Sequence, residues 1–272
     1  MARLRCSVRV PGIDVERFID AIPILIARCR TVDFSDGGVA TVDGRRHPEL
    51  RLVGGVAGQV GATYELDPDA EGAADMPAAV EIRDGGRFRI TMTSDDSSRL
   101  RAEVARTDPG SSSGTVQSSG WVQLDEPDGP RSASLEAKVG MPSGMPAIFG
   151  RSIRLEAGIR LHDLWFVPEP QARFSARSAA VRVDGTFQVE QPTAESWAIE
   201  ADLRVRPRGF LLVPGLLLPF FRSRLERALA NQLSKTMSEI AQEVQDEFEP
   251  GDGPEQVADE IWADLTEPVP PD

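Results

Sequence analysis

Apolar and polar residues alternate with period two along most of the chain. Leu4, Cys6, Val8 and Val10 are interleaved with Arg3, Arg5, Ser7 and Arg9. The same rhythm returns at Phe88, Ile90 and Met92, at Leu100, Ala102 and Val104, and at Ala133, Leu135, Ala137 and Val139. It continues at Ile153 to Leu161, at Val181, Val183, Phe187 and Val189, and closes with Trp197, Ile199, Ala201, Leu203 and Val205. Such alternation predicts strands with one dry face and one wet face. Asp-Gly and Gly-Gly pairs at 36–38, 43–44, 84–86, 128–129 and 184–185 punctuate the runs with residues that tolerate hairpin turns. The glycine-rich stretch VGGVAGQVGATYEL from Val53 lies between alternating segments, where glycine marks bulges or sheet bending.

Two segments switch to helical spacing. Asp14 caps a predicted helix to Cys29, with Val15, Phe18, Ile19, Ile22, Ile26 and Cys29 on one face and Pro23 as a kink or interruption. A stronger stripe of Leu225, Leu229, Leu233, Met237, Ile240, Val244 and Phe248 predicts a long helix over about 219–248. The expected fold class is therefore α+β: a large curved antiparallel sheet wrapped around that long C-terminal helix, with a short N-terminal helix. One domain over residues 1–248 is expected. After it, 249–272 reads as an acidic, proline-rich solvated tail, with Val257, Ile261, Trp262 and Leu265 as material for a short amphipathic turn. AAVEIRDGGRFRITM from Ala78 echoes AAVRVDGTFQVE from Ala179, which raises a partial duplication of 79–110 and 179–209.

Charge narrows the partners. The chain is 272 residues long and carries −13; residues 249–272 hold eight carboxylates and no Lys or Arg, leaving −5 on the rest. No Lys/Arg cluster appears that could reverse this locally, so nucleic acid is not expected as a partner. No apolar run reaches the ~18 residues of a membrane span. Together with an N-terminus lacking a signal-peptide core, this gives a cytoplasmic expectation. The apolar maximum, Phe210 to Phe221 within PRGFLLVPGLLLPFFRSRL, is broken by Pro214, Gly215 and Pro219. It reads as a strand-to-helix junction buried beneath the sheet, the alternative being a loop in transient membrane contact, flanked by Arg206, Arg208, Arg222 and Arg224.

Catalytic signatures are missing. His162 precedes Asp163, but strand neighbours point to opposite faces, and His47 stands in a GRRHPE turn. GSSSG at 110–114 has the GxSxG letters but lies in a flexible hairpin-like loop between alternating segments, not in the strand-to-helix turn of a nucleophile elbow. There is no HExxH, GxGxxG or phosphate-binding loop, and no cofactor or metal is expected. Cys6 and Cys29 have apolar neighbours and read as buried thiols. The residues suited to lining an apolar pocket are Tyr64, Phe88, Trp121 and Trp197, with Leu217 and Phe221 from the apolar junction. Trp121 alternates against Val122 and Leu124, so one of these sets must leave the dry face.

Three passages resemble the START-like superfamily of polyketide cyclases and lipid carriers: CSVRVPGIDVERFIDAI, GTVQSSGWVQLDEPDGPRSASLEAKVGM and WAIEADLRVRPRGFLLVPGLLLPFFRSRLERAL. The resemblance implies a helix-grip fold with an elongated cavity for lipids or polycyclic compounds, and it transfers no catalytic residue. Three functions follow as expectations. They are a non-catalytic carrier of an apolar small molecule or lipid, a cyclase or aromatase acting through His162 or Tyr64, and an interaction protein using its acidic tail.

Overall fold

A computed structural model describes residues 2–42, 44–67, 87–107, 116–140, 151–161, 169–190, 196–208, 222–249 and 251–266. It divides into two compact units: residues 1–16 with 131–252, and residues 17–130 with 253–272. The first unit holds six antiparallel strands in the spatial order β1 (Ala2–Pro11), β13 (Ser196–Pro207), β12 (Val181–Glu190), β11 (Ala172–Arg177), β10 (Ser152–Arg160) and β9 (Ser132–Gly140). In the second, seven more run β8 (Val116–Asp125), β7 (Arg99–Thr107), β6 (Arg87–Asp96), β5 (Thr63–Leu66), β4 (Arg45–Gly54), β3 (Val39–Val42) and β2 (Asp33–Phe34). Within each unit, β1 apart, each strand pairs with its neighbour in sequence, the low-cost way to build an antiparallel sheet with short turns.

The helix-grip expectation is overturned. The described residues contain thirteen strands and three helices: α1 (Val15–Arg30), α2 (Arg222–Glu247) and α3 (Pro254–Thr266). The last of these is short, and the long stripe of α2 is not gripped by a sheet. Ala241 is its one fully buried residue, while Leu225 and Ile240 stay 36% and 41% exposed. α2 runs instead along the edge strand β1. There, Leu233 and Met237 pack on a core cluster of Val10, Trp197 and Ile199, and Glu226 accepts the Arg5 backbone N–H at 2.9 Å. An edge strand left bare is a template for aggregation; here a helix covers it and takes up one of its free donors. The stripe marked the helix, but most of its length stays exposed, so it meets an edge strand and not an enclosing sheet.

The described residues 251–266 also depart from a solvated tail. Gly251 adopts φ +106°, a left-handed turn that ends the preceding segment, and Gln256 accepts the Gly253 N–H at 2.7 Å at the start of α3. Val257 and Ala258 on α3 are fully buried, and Arg28 of α1 donates to the Ala258 carbonyl at 3.0 Å and pairs with Asp259. α1 itself continues to Arg30 without interruption at Pro23. Cys29 on it is exposed and Cys6 half-buried, where burial of both was expected. The glycine-rich stretch does carry a bulge, a register shift between Leu52 and Gly54. Gly55 follows at φ +76°, and a Cβ there would sit 2.6 Å from the Gly61 carbonyl oxygen.

A docked α3 and a solvated tail respond differently to charge. Val257→Asp places an unpaired carboxylate in a site with no exposure and should lower the unfolding free energy by about 3 kcal/mol or more. Urea denaturation followed by circular dichroism measures it, and an unchanged midpoint would mean that α3 does not dock.

Candidate functional site

In the six-stranded unit the ladder register collects every other residue onto one face. Leu4, Cys6, Val8 and Val10 lie opposite Leu203, Ala201, Ile199 and Trp197, and Val183, Gly185, Phe187 and Val189 extend the same face across β12. Ala172, Phe174 and Ala176 follow on β11, then Ile153, Leu155, Ala157 and Ile159 on β10, and Ala133, Leu135, Ala137 and Val139 on β9. At the β1–β13 end this face is core, with Trp197 only 6% exposed. Toward β9 and β10 it opens: Leu135, Val139 and Leu155 are 40%, 39% and 36% exposed.

The opening has a shape. Alanines at 133, 137, 157, 172 and 176 form a low floor between the larger side chains. At its inner end the Phe174 and Phe187 rings stack with centroids 5.4 Å apart. Gly185 is what lets Phe174 lie flat, since a Cβ there would meet the ring at 2.1 Å and Leu203 at 2.6 Å. This low apolar strip, or trough, continues the face of the core cluster and carries no charged side chain among the described residues.

The opposite face of the same strands is polar and holds a concavity of about 460 Å³ lined by Arg5, Ser7, Pro170, Thr186, Gln188, Glu200 and Asp202. Two of its charges, Arg5 and Asp202, are already paired. Asp202 pairs with both Arg3 and Arg5, and the hydrogen bond from Arg3 holds its carboxyl below the usual range, against the upward push of burial. Glu226 is likewise lowered, first by the Arg5 backbone N–H and then by Arg222. The Cys6 thiol is pushed up by burial and then by the Glu226 charge, which makes it a poor nucleophile.

The expected pocket residues that are described fall in different units or on different faces. Tyr64 and Phe88 share a face of the seven-stranded unit, where Tyr64 packs 5.6 Å from Phe34 and its hydroxyl accepts the Gly58 N–H at 2.8 Å. Trp121 lies on the other face of that unit, opposite Glu103, with the Arg101 guanidinium 4.3 Å above its ring. The ambiguity of its strand resolves in favour of Val122 and Leu124 on the apolar side, Val122 being 51% exposed. Trp197 is core of the six-stranded unit. Leu217, Phe221, His162 and Asp163 lie outside the described residues.

Sequence reasoning passed over His47, which is not in a turn but on β4, 8% exposed, with Nδ1 3.0 Å from the Glu49 carboxylate. Its Nε2 is buried and has no hydrogen-bond partner among the described residues. The i, i+2 spacing of His47 and Glu49 on a strand was the available signal, masked by Pro48. Glu49 orients the ring as in a general-base pair, but burial denies a substrate access to it. No cluster of three or more His, Cys, Asp or Glu suited to a metal occurs among the described residues, and no described helix is long and apolar enough to cross a membrane.

No family model matches this chain, and no curated protein does. Among solved structures, the crystal structure of TTHA0849 from Thermus thermophilus aligns over 90% of this chain and 99% of its own, at 10% identity and a TM-score of 0.32. That likeness is too slight to define a common fold.

The depressed carboxylates make the six-stranded unit sensitive to acid. A group whose folded pKa is lowered stabilises the fold above its unfolded value, and the contribution is lost as pH falls through the folded one. The urea midpoint should hold from neutrality to about pH 5 and fall below about pH 4. Asp202→Asn should flatten that decline; an identical slope in the variant would show that the Arg3–Asp202–Arg5 cluster contributes nothing.

Proposed function

We propose that the protein binds an apolar small molecule or lipid chain, without catalysis, in the trough of the six-stranded unit. The observation that carries this reading is the exposure of Leu135, Val139 and Leu155 on a sheet face that is core at its β1–β13 end. Scattered exposed aliphatics need no explanation, but three neighbours on adjacent strands beside an alanine floor form a contiguous surface. The trough is uncharged on its face, so it offers an acyl or polycyclic skeleton contact area without desolvating an ion. A catalytic alternative draws no support from Tyr64, whose hydroxyl is engaged with a backbone donor.

Magnitudes set the assay. Half-burying a sixteen-carbon chain at about 0.8 kcal/mol per methylene yields about 6 kcal/mol, a Kd in the tens of micromolar before ordering costs. Binding of a fluorescent fatty acid should therefore be followed at equilibrium rather than by co-purification. Leu135→Asp and Leu155→Asp should each weaken it at least tenfold, while the exposed positions leave the thermal midpoint within a few degrees of the parent. Retention of full binding in both variants would remove the trough as the site.

A further inference from the structure

The polar face of the six-stranded unit contains an arrangement that the apolar trough does not use. Lys138 lies directly opposite Arg154, Arg154 opposite Arg177, Arg177 opposite Arg182, and Arg182 opposite Arg206. Five cations thus stand side by side across β9 to β13, a row about 19 Å long at roughly 4.8 Å per strand. Like charges directly opposed across strands destabilise a sheet, so the row costs stability. Carboxylates one step along the strands offset part of that cost: Glu136 pairs with Arg154 at 2.9 Å, Glu156 with Arg177 at 3.1 Å, and Asp184 with Arg182 at 2.8 Å and Arg206 at 3.9 Å.

Three carboxylates against five cations leave the row with surplus positive charge. Lys138 is exposed and has no ion pair among the described residues. Over the whole polar face of β1 and β9 to β13, eleven Arg or Lys side chains face six carboxylates, within a chain whose net charge is −13. Burial alone would raise the Asp184 carboxyl, yet hydrogen bonds from Arg182 and Ser175 and the charges of Arg182 and Arg206 lower it. The side chains of Arg154 and Arg206 remain 58% and 46% exposed, open to a partner.

We propose that this row docks the protein on an anionic lipid bilayer. Complementary charge admits any polyanion, and two observations select the bilayer. First, the polar face carries no aromatic side chain among its described residues, so it lacks the stacking platform on which single-stranded nucleic acid is bound. Second, the row lies at the end of the strands where β13 finishes at Pro207, and the apolar sequence Phe210 to Phe221 follows Arg206 within four residues. Basic charge beside apolar sequence is the composition of an interfacial contact, in which anionic headgroups gather under the cations. The site is the row itself, and the proposal stands apart from the trough reading, because it concerns the opposite face of the sheet.

The test is sedimentation of the full chain with vesicles of phosphatidylcholine alone and of equimolar phosphatidylcholine and phosphatidylglycerol. Binding is expected only to the second, and it should weaken as ionic strength approaches physiological values and the Debye length shrinks to about 8 Å. Replacing two cations at roughly fivefold each, in the double variant Lys138→Gln, Arg206→Gln, should weaken it about twenty-five-fold. Glu136→Gln frees Arg154 and should tighten binding about fivefold; that gain cannot arise from misfolding. Equal binding to both vesicle types, no binding to either, or an unchanged affinity in both variants would overturn the proposal. So would tighter binding of an oligonucleotide, lost in the double variant, which would reassign the row to nucleic acid. Fatty-acid binding in the trough, measured on the same variants, is expected to be unaffected, so the two readings fail separately.

Discussion

The antiparallel register of the six-stranded unit is the constraint on which the rest depends. Ladder hydrogen bonds place Cα partners opposite one another from β1 to β9, and side chains alternate between the two faces with period two. A slip of one residue in any strand would carry its apolar set to the charged face. Register is therefore fixed by burial at Trp197 and Ile199, and what it fixes elsewhere comes as a consequence. The trough and the row of cations are the two faces of one pattern.

That pattern divides stabilisation unevenly. At the β1–β13 end, α2 supplies Leu233 and Met237 to the core, and Glu226 takes up a donor of the edge strand. Nothing comparable among the described residues covers Leu135 and Leu155, so the same sheet passes from core to exposed surface within a few strands. On the reverse face, carboxylates lie one step along the strands from arginines, at Glu136, Glu156 and Asp184. Exposed pairs of this kind contribute little stability each; their main effect is to lower the repulsion of a crowded cationic surface.

Much of the local structure was legible in the sequence. The strands from Leu4, Phe88, Leu100, Ala133, Ile153, Val181 and Trp197 all form, and so do both periodic helices. The overall architecture was not legible, because a helical stripe reports an apolar side without reporting how much sheet will meet it. The stripe of α2 implied a gripped central helix, and the helix instead lies on an edge strand. Composition likewise hid α3, whose carboxylates suggested a solvated tail while Val257 and Ala258 carried the burial.

Of the candidate site, the sequence determined the residue types and their alternation: a dry face of valine, leucine, alanine and phenylalanine, and a wet face rich in arginine. It showed no Lys/Arg cluster, and a chain of charge −13 gave no reason to expect a cationic surface, an expectation that strand pairing corrects. Lys138, Arg154, Arg177, Arg182 and Arg206 are scattered over 69 positions, and only strand pairing makes them neighbours. The tertiary structure decided which dry residues became core and which remained open, and it gathered those five cations into one row. Periodicity is a property of a single strand, whereas exposure and charge density depend on which strands and helices lie beside it.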